Sequence, residues 1–334
     1  MKKHRGLKIF LGIIITLALF IGIINLIPPK INHKNNPFIS KDRTMLCAHR
    51  GGAKQNPENT MKAYKSAAKD YSADILETDL WMTKDGKLVL NHDGKLNRTT
   101  DIELFEGENY DPKHDYWIKD FTYDELCKFN FGYQFEINGN RPYKDLVQLD
   151  DPNRCSIIKE NDLSITLIDE FLDYFYENYP DMLFIIEIKD KDETGIKATN
   201  ILTNLLEDKY VDFKDQVIIG TFHPEIENEL SKNHSDLFRG ASMKGSATFV
   251  ITQLLCVNLF DNTSVIAYEL PMSKFGINMT LDTFINRAHR KNIAIQYWTI
   301  NEEKDMRYLI SKGVDAIISD DIALLRQVLD AVES

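Results

Sequence analysis

Glu77 and Asp79 stand one residue apart at the end of an apolar approach, Ile75-Leu76. On an extended stretch alternate side chains share a face, so both carboxylates point the same way. Asp85-Gly86 marks a turn, and Leu88-Val89-Leu90 reads as a second short strand running into His92 and Asp93. Carboxylate oxygens suit a hard divalent cation, Ca²⁺ or Mg²⁺, and imidazole suits proton transfer near neutral pH. Other strand-like runs end in polar groups too. The run at 44–48 leads into His49-Arg50, the run at 183–188 carries Glu187 followed by Lys189, and the run at 293–299 holds Trp298. A single strand carboxylate is commonplace. Three carboxylates, two histidines, two cations and an aromatic from five strands define a metal-assisted acid/base site.

The elements that must position these residues alternate from residue 44 onward. Asn59 or Thr60 caps a helix running to about residue 70. Only eight residues separate Asp79 from Leu88, too few for a helical crossover, so the chain returns there without one. Further helices are expected at 166–179, 195–208, 224–232, 247–258, 280–290, 302–312 and 321–331. Between them lie strands at 183–188, 216–220, 237–241, 264–268, 293–299 and 313–320. This alternation implies a (β/α)₈ TIM barrel, whose strand C-termini converge on one mouth. With 44–48, 74–79 and 88–91 included there are nine candidate strands for eight places, and 264–268 is the first to drop. The alternative, a doubly wound open sheet, lacks a Gly-x-Gly-x-x-Gly turn after any strand.

Residues 98–163 interrupt the pattern with ten aromatics between Tyr110 and Tyr143. That content argues against disorder, and a segment so long is read as an aromatic-rich insertion capping the site, with a side domain as the alternative.

Ahead of the barrel, Leu7 to Ile27 is apolar apart from Lys8, Thr16 and Asn25, long enough to span a bilayer. Lys2, Lys3 and Arg5 favour an N-terminus inside, hence a single-pass cell-membrane anchor with the domain extracytoplasmic. A cleaved signal peptide is the alternative, but its apolar region would be unusually long. Residues 1–27 thus form a stub and transmembrane anchor, 28–43 an extended linker, and 44–334 the catalytic domain. Of the net charge of −11, residues 1–43 contribute +7 and leave −18 for the domain, which argues against a nucleic-acid partner. Cys47 and Cys256 lie in apolar runs and read as core; Cys127 and Cys155 could bridge in an oxidising space.

The motifs together resemble one family. His49-Arg50-Gly51, then Pro57-Glu58-Asn59-Thr60, Glu77-x-Asp79, Thr83-x-Asp85-Gly86 and His92-Asp93 are similar to the signature of the glycerophosphodiester phosphodiesterases. The resemblance continues through Thr122–Leu126 with Gly132, Glu187-x-Lys189, Trp298-Thr299-Ile300-Asn301 and Gly313–Asp320, spanning residue 45 to about 330. The stretches 101–117 and 136–163 are longer than the family pattern, and no Pro precedes the helix at 166.

The resemblance implies that Glu77, Asp79 and Glu187 hold a divalent cation, Ca²⁺ or Mg²⁺. It makes His49 and His92 the acid/base pair, with either order open, and Arg50 and Lys189 the phosphate binders. Trp298 would wall the glycerol site or simply fill the barrel. The chemistry calls for the same types, since charge building at phosphorus must be neutralised and protons must move at both the attacking and leaving oxygens. The implied activity is hydrolysis of a glycerophosphodiester, from a lipid head group or a glycerophosphate polymer, to glycerol phosphate and an alcohol. A cyclising phosphodiesterase or lyase of the same superfamily, and a non-catalytic binder of glycerophosphate polymers, are the alternatives. Glu58 is expected in the first helical turn, favouring the helix dipole, and Asp93 is expected to point away from His92.

Overall fold

The computed structural model describes residues 2–27, 29–31, 33–40, 42–257, 261 and 263–333. An apolar helix α1 (Lys2–Leu26) comes first, followed by β1 (Met45–Ala48), α2 (Met61–Asp70), β2 (Ile75–Met82) and β3 (Leu88–Leu90). The insertion contributes short helices α3 (Ile102–Glu106), α4 (Tyr123–Leu126) and α5 (Arg154–Glu160), ending at β4 (Thr166–Leu167). Regular alternation resumes with α6 (Ile168–Asn178), β5 (Leu183–Ile188), α7 (Asp192–Asn204), β6 (Val217–Gly220), α8 (Pro224–Asn233), β7 (Phe238–Arg239) and α9 (Met243–Leu254). The last third holds β8 (Ala267–Leu270), a hairpin of β9 (Ser273–Lys274) and β10 (Ile277–Asn278), α10 (Asp282–Arg290), β11 (Ala294–Tyr297), α11 (Glu303–Ser311), β12 (Ala316–Ser319) and α12 (Ile322–Glu333).

Eight parallel strands run in the order β7-β6-β5-β2-β1-β12-β11-β8. A bridge from Gly240 to Ala267 brings the two ends together, so the sheet all but closes into the expected TIM barrel. The surplus strand is not the one expected. The run at 264–268 supplies β8, a barrel strand paired with β11 from Ala267 to Leu270. It is 88–91 that leaves the barrel, because the eight-residue return folds β3 antiparallel onto β2.

The barrel interior is filled by Met45, Cys47, Ile75, Ile185, Ile218, Ala294 and Ile318, while a larger apolar cluster lies between the strands and the helices. Phe38, fully buried, joins the interior cluster. Asn36 donates to the carbonyls of Ile266 and Asn292, and Asn292 donates to those of His33 and Lys34. The second half of the expected linker is therefore docked on the barrel rather than extended. Its Pro28, Asn32 and Lys41 fall outside the described residues.

The insertion builds a satellite core of its own from Leu96, Ile102, Tyr116, Ile118, Leu126, Phe129 and Phe131, against Val89 and Ile165. Thr122 and Glu125 close a reciprocal capping box on α4. A buried Arg154–Asp101 ion pair staples the segment, with Arg154 also donating to the carbonyls of Lys128, Val147 and Gln148. This is the side-domain arrangement and not the cap: among the described residues, none from 98–163 lines the cavity at the barrel mouth. Cys127 and Cys155 are free thiols, so the expected bridge is not formed, and Cys256 is exposed rather than core.

Candidate active site

Strand register gathers the carboxylates. Glu77 and Asp79 share a face of β2, and β2 pairs with β5 so that Asp79 lies directly beside Glu187. The outcome is a cluster whose ligand atoms lie within 4.8 Å of one another. Glu77 and Asp79 are buried, and Glu187 Oε1 is buried with no hydrogen-bond partner among the described residues. Desolvation and then the charge of Asp79 push the Glu77 carboxyl well above its ordinary value. Desolvation likewise raises Glu187, with Asp79 adding to it and Lys189 opposing. Converging carboxylates that each disfavour the other's charge, one with an orphaned oxygen, fit a divalent cation of the oxygen-seeking kind.

The cations converge on the same place. Lys189 Nζ lies 3.0 Å from Asp79 Oδ1 and 2.8 Å from Glu187 Oε2. Burial opposes its charge, but these two neighbours hold the ammonium above its usual pKa. Arg50 has a left-handed backbone (φ 54°) that turns its N–H onto Glu77 Oε2 at 2.8 Å. Its guanidinium approaches Glu58 at 3.3 Å and, through Nε, Asp79 at 3.9 Å, and this buried Nε has no hydrogen-bond partner among the described residues.

The two histidines arrive from opposite directions. Ala48 is level with Ser319 in the β1–β12 pair, which sets His49 beside Asp320, and His49 Nδ1 meets Asp320 Oδ1 at 2.6 Å. That leaves Nε2 turned towards the cluster, 4.0 Å from Glu77 Oε2. Burial alone would raise Asp320; the His49 hydrogen bond and charge outweigh it and hold the carboxyl below its ordinary value. Asn301 Nδ2 secures its other oxygen at 2.8 Å. His92 comes back along β3, and its Nδ1 meets Asp93 Oδ1 at 2.9 Å. Asp93 thus turns towards His92, contrary to the alternation argument, because the chain leaves the strand at Leu90. The hydrogen bond from His92, and then Arg98, hold Asp93 far below the usual carboxylate range.

All eight residues singled out from the sequence, His49, Arg50, Glu77, Asp79, His92, Glu187, Lys189 and Trp298, line one cavity of about 380 Å³. Trp298 also packs on the barrel interior, the core setting expected of it. Glu58 lies ahead of the Thr60 N-cap and outside the helix. There its carboxylate joins Arg50 to Arg98, the latter at 2.6 and 2.7 Å. Asn59, held by the Tyr64 hydroxyl, donates to Asp79 Oδ2 at 3.2 Å. Sequence reasoning missed Glu269, which lies near the end of β8 and lines the same cavity. Desolvation, then the charge of Glu187, raises its carboxyl to about 7. Its signal in the sequence is a carboxylate directly after the expected strand 264–268.

A sequence model described as the glycerophosphoryl diester phosphodiesterase family matches residues 49–324. A glycerophosphodiester phosphodiesterase of Bacillus subtilis (strain 168) is 27% identical over 330 residues, covering 96% of this chain and 96% of its own. Another from Caldanaerobacter subterraneus is 27% identical over 285 residues, covering 84% of this chain and 95% of its own. A solved structure, a putative glycerophosphoryl diester phosphodiesterase from Silicibacter pomeroyi, superposes with a TM-score of 0.65 at 16% identity, covering 89% of this chain and 97% of that one.

Proposed function

We propose, on the premise that this chain belongs to the glycerophosphoryl diester phosphodiesterase family, that it hydrolyses its glycerophosphodiester by proton transfer through His49 and His92 beside a divalent cation. Glu77, Asp79 and Glu187 hold that cation, Ca²⁺ or Mg²⁺. When bound it supplies positive charge against the phosphate oxygens.

The observation that carries the reading is the shared tethering of the two imidazoles. Each has Nδ1 fixed by a carboxylate, Asp320 for His49 and Asp93 for His92. Such a bond sets the tautomer, so Nε2 is the nitrogen each presents to substrate. One takes a proton from the attacking oxygen while the other gives one to the departing alkoxide. The Arg50 guanidinium, whose Nε makes no hydrogen bond among the described residues, and the Lys189 ammonium bind and neutralise the phosphate. Trp298 supplies an apolar wall for the glycerol carbons.

The apolar Gly6–Leu26 segment of α1, almost all of it exposed, anchors the chain as a single membrane pass. The basic residues Lys2, Lys3 and Arg5 keep the N-terminus inside and place the barrel outside. The reaction is tested by following purified full-length enzyme with a panel of glycerophosphodiesters by phosphorus NMR. The expected product is glycerol phosphate plus free alcohol, lost in His49→Asn. A cyclic phosphate accumulating as the end product overturns hydrolysis, and binding without turnover overturns catalysis.

A further inference from the structure

Among the described residues, nothing covers an apolar face of helix α9. Met243, Ala247, Ile251 and Leu254 follow one another at helical spacing, and all are exposed, as is Leu255 just beyond. Exposure reaches 54% at Ile251 and 61% at Leu255. Residues 240–257 hold no acid and a single cation, Lys244, within a domain of charge −18. A solvated helix would place charges on such a face, and contiguous exposed apolar surface marks a contact with something other than water.

Two observations name the occupant. The first is at the foot of α9, where α1 ends. Ile24 is buried, Asn25 donates to the Cys256 carbonyl at 2.8 Å, and Arg287 links Asn25 to Gln253. The apolar face therefore begins where the apolar α1 joins the barrel.

The second is at the head of α9, where the face meets the hairpin of β9 and β10. Lys274 Nζ reaches Met243 Sδ at 4.0 Å, and Phe275 beside it is 91% exposed. Phe275 and Gly276 form the turn with φ of 53° and 75°. Both positions of this tight turn require positive φ, which suits Gly and Asn and is unusual for a bulky aromatic. The backbone holds the ring out rather than tucking it in. Apolar side chains on one face with lysine and arginine at its edges are the composition of a surface that sits in a lipid headgroup region.

We propose that the outer face of α9, with Phe275 at its head, rests on the bilayer that α1 enters, so that the barrel lies on its side. A twelve-residue helix is about 18 Å long at 1.5 Å per residue, enough to carry the contact from the anchor to the mouth. Met243 and Ile251 belong both to this face and to the cavity lining. The mouth therefore opens at the lipid surface. This rests on reading α1 as a membrane helix.

The test uses the full chain in phosphatidylcholine and phosphatidylglycerol vesicles carrying brominated acyl chains. Phe275→Trp introduces a fluorophore whose added emission is expected to be quenched, while that of Leu104→Trp, on the insertion, is expected to be quenched far less. Leu254→Glu combined with Leu255→Glu is expected to reverse the quenching at position 275 and to slow turnover of a vesicle-borne diester severalfold. Turnover of a short, water-soluble diester is expected to stay unchanged, which also reports that the barrel is folded. A chain washed off vesicles by alkaline carbonate overturns both the anchor and the face. A chain that stays embedded while the tryptophan introduced at position 275 goes unquenched overturns the face alone, including the case where that face instead pairs two copies.

Discussion

Asp320→Asn isolates what the tether on His49 contributes. The pair is short, 2.6 Å, and mostly shielded, with side-chain exposures of 14% and 25%. A hydrogen bond to a charged group contributes about 1.5–3 kcal/mol, which at about 1.4 kcal/mol per decade is roughly a 10- to 140-fold loss in kcat/KM. The surroundings favour the upper end. Asn301 Nδ2 already donates to the far oxygen of Asp320, so the new carboxamide oxygen is drawn to Asn301 and its NH₂ faces His49. A donor in place of an acceptor stabilises the wrong tautomer, with the proton on Nε2. Steady-state kinetics on Asp320→Asn, His49→Asn and the double variant, with thermal melts to confirm folding, measure the coupling. In the His49→Asn background the second change is expected to cost no more than about twofold, because residues acting as a unit are not additive. An equal loss in both backgrounds, or no loss in the parent, refutes the tether.

Three other outcomes are expected. Glu77→Gln should keep its fold but require far more divalent cation for turnover, read by titrating metal into chelated enzyme; full activity after exhaustive chelation contradicts the metal assignment. In chelator, the raised carboxyls of Glu77, Glu187 and Glu269, the last at about 7, mean that the folded state holds protons which the unfolded chain releases near 4.5. Stability should therefore fall as pH rises from about 4.5 through 7, and saturating cation should flatten that fall in scanning calorimetry; a flat profile without cation argues against the cluster. Trypsin added to spheroplasts should cut after the exposed Lys30 and release an active barrel with its docked segment; protection until the membrane is lysed places the barrel inside.

Much of the site was legible because it depends on short-range periodicity. Two carboxylates at i and i+2 share a strand face whatever surrounds them, and polar residues ending apolar runs declare a barrel mouth. The rest depends on partners far apart in sequence. Whether 88–91 or 264–268 enters the barrel is decided by pairing, although the short return after Asp79 already favours an antiparallel 88–91 outside it. Dropping 264–268 hid Glu269 with it. Asp320 and Glu58 take their partners from across the fold, 271 and 40 residues away. The linker was read from its polar composition, which does not register one Phe38 plugging the barrel base. Hydropathy cannot distinguish an apolar run facing the core from one facing outward, hence the misplaced Cys256.

The antiparallel β3 has a consequence for how this enzyme can change. Leu88 and Leu90 face the main core while Val89 faces the insertion's core. The His92 end is further tied through Asp93 to Arg98, where the insertion begins. His49, by contrast, is set by β1 and β12, two strands of the closed barrel. The two histidines of the cavity are thus set by different strands, one of the barrel and one packed on the insertion. Substitutions in the insertion reach His92 directly through Asp93 and Arg98, and reach His49 only by the longer path through Glu58 and Arg50. The insertion is then a lever that acts first on one of the two histidines of the cavity and only at second hand on the other.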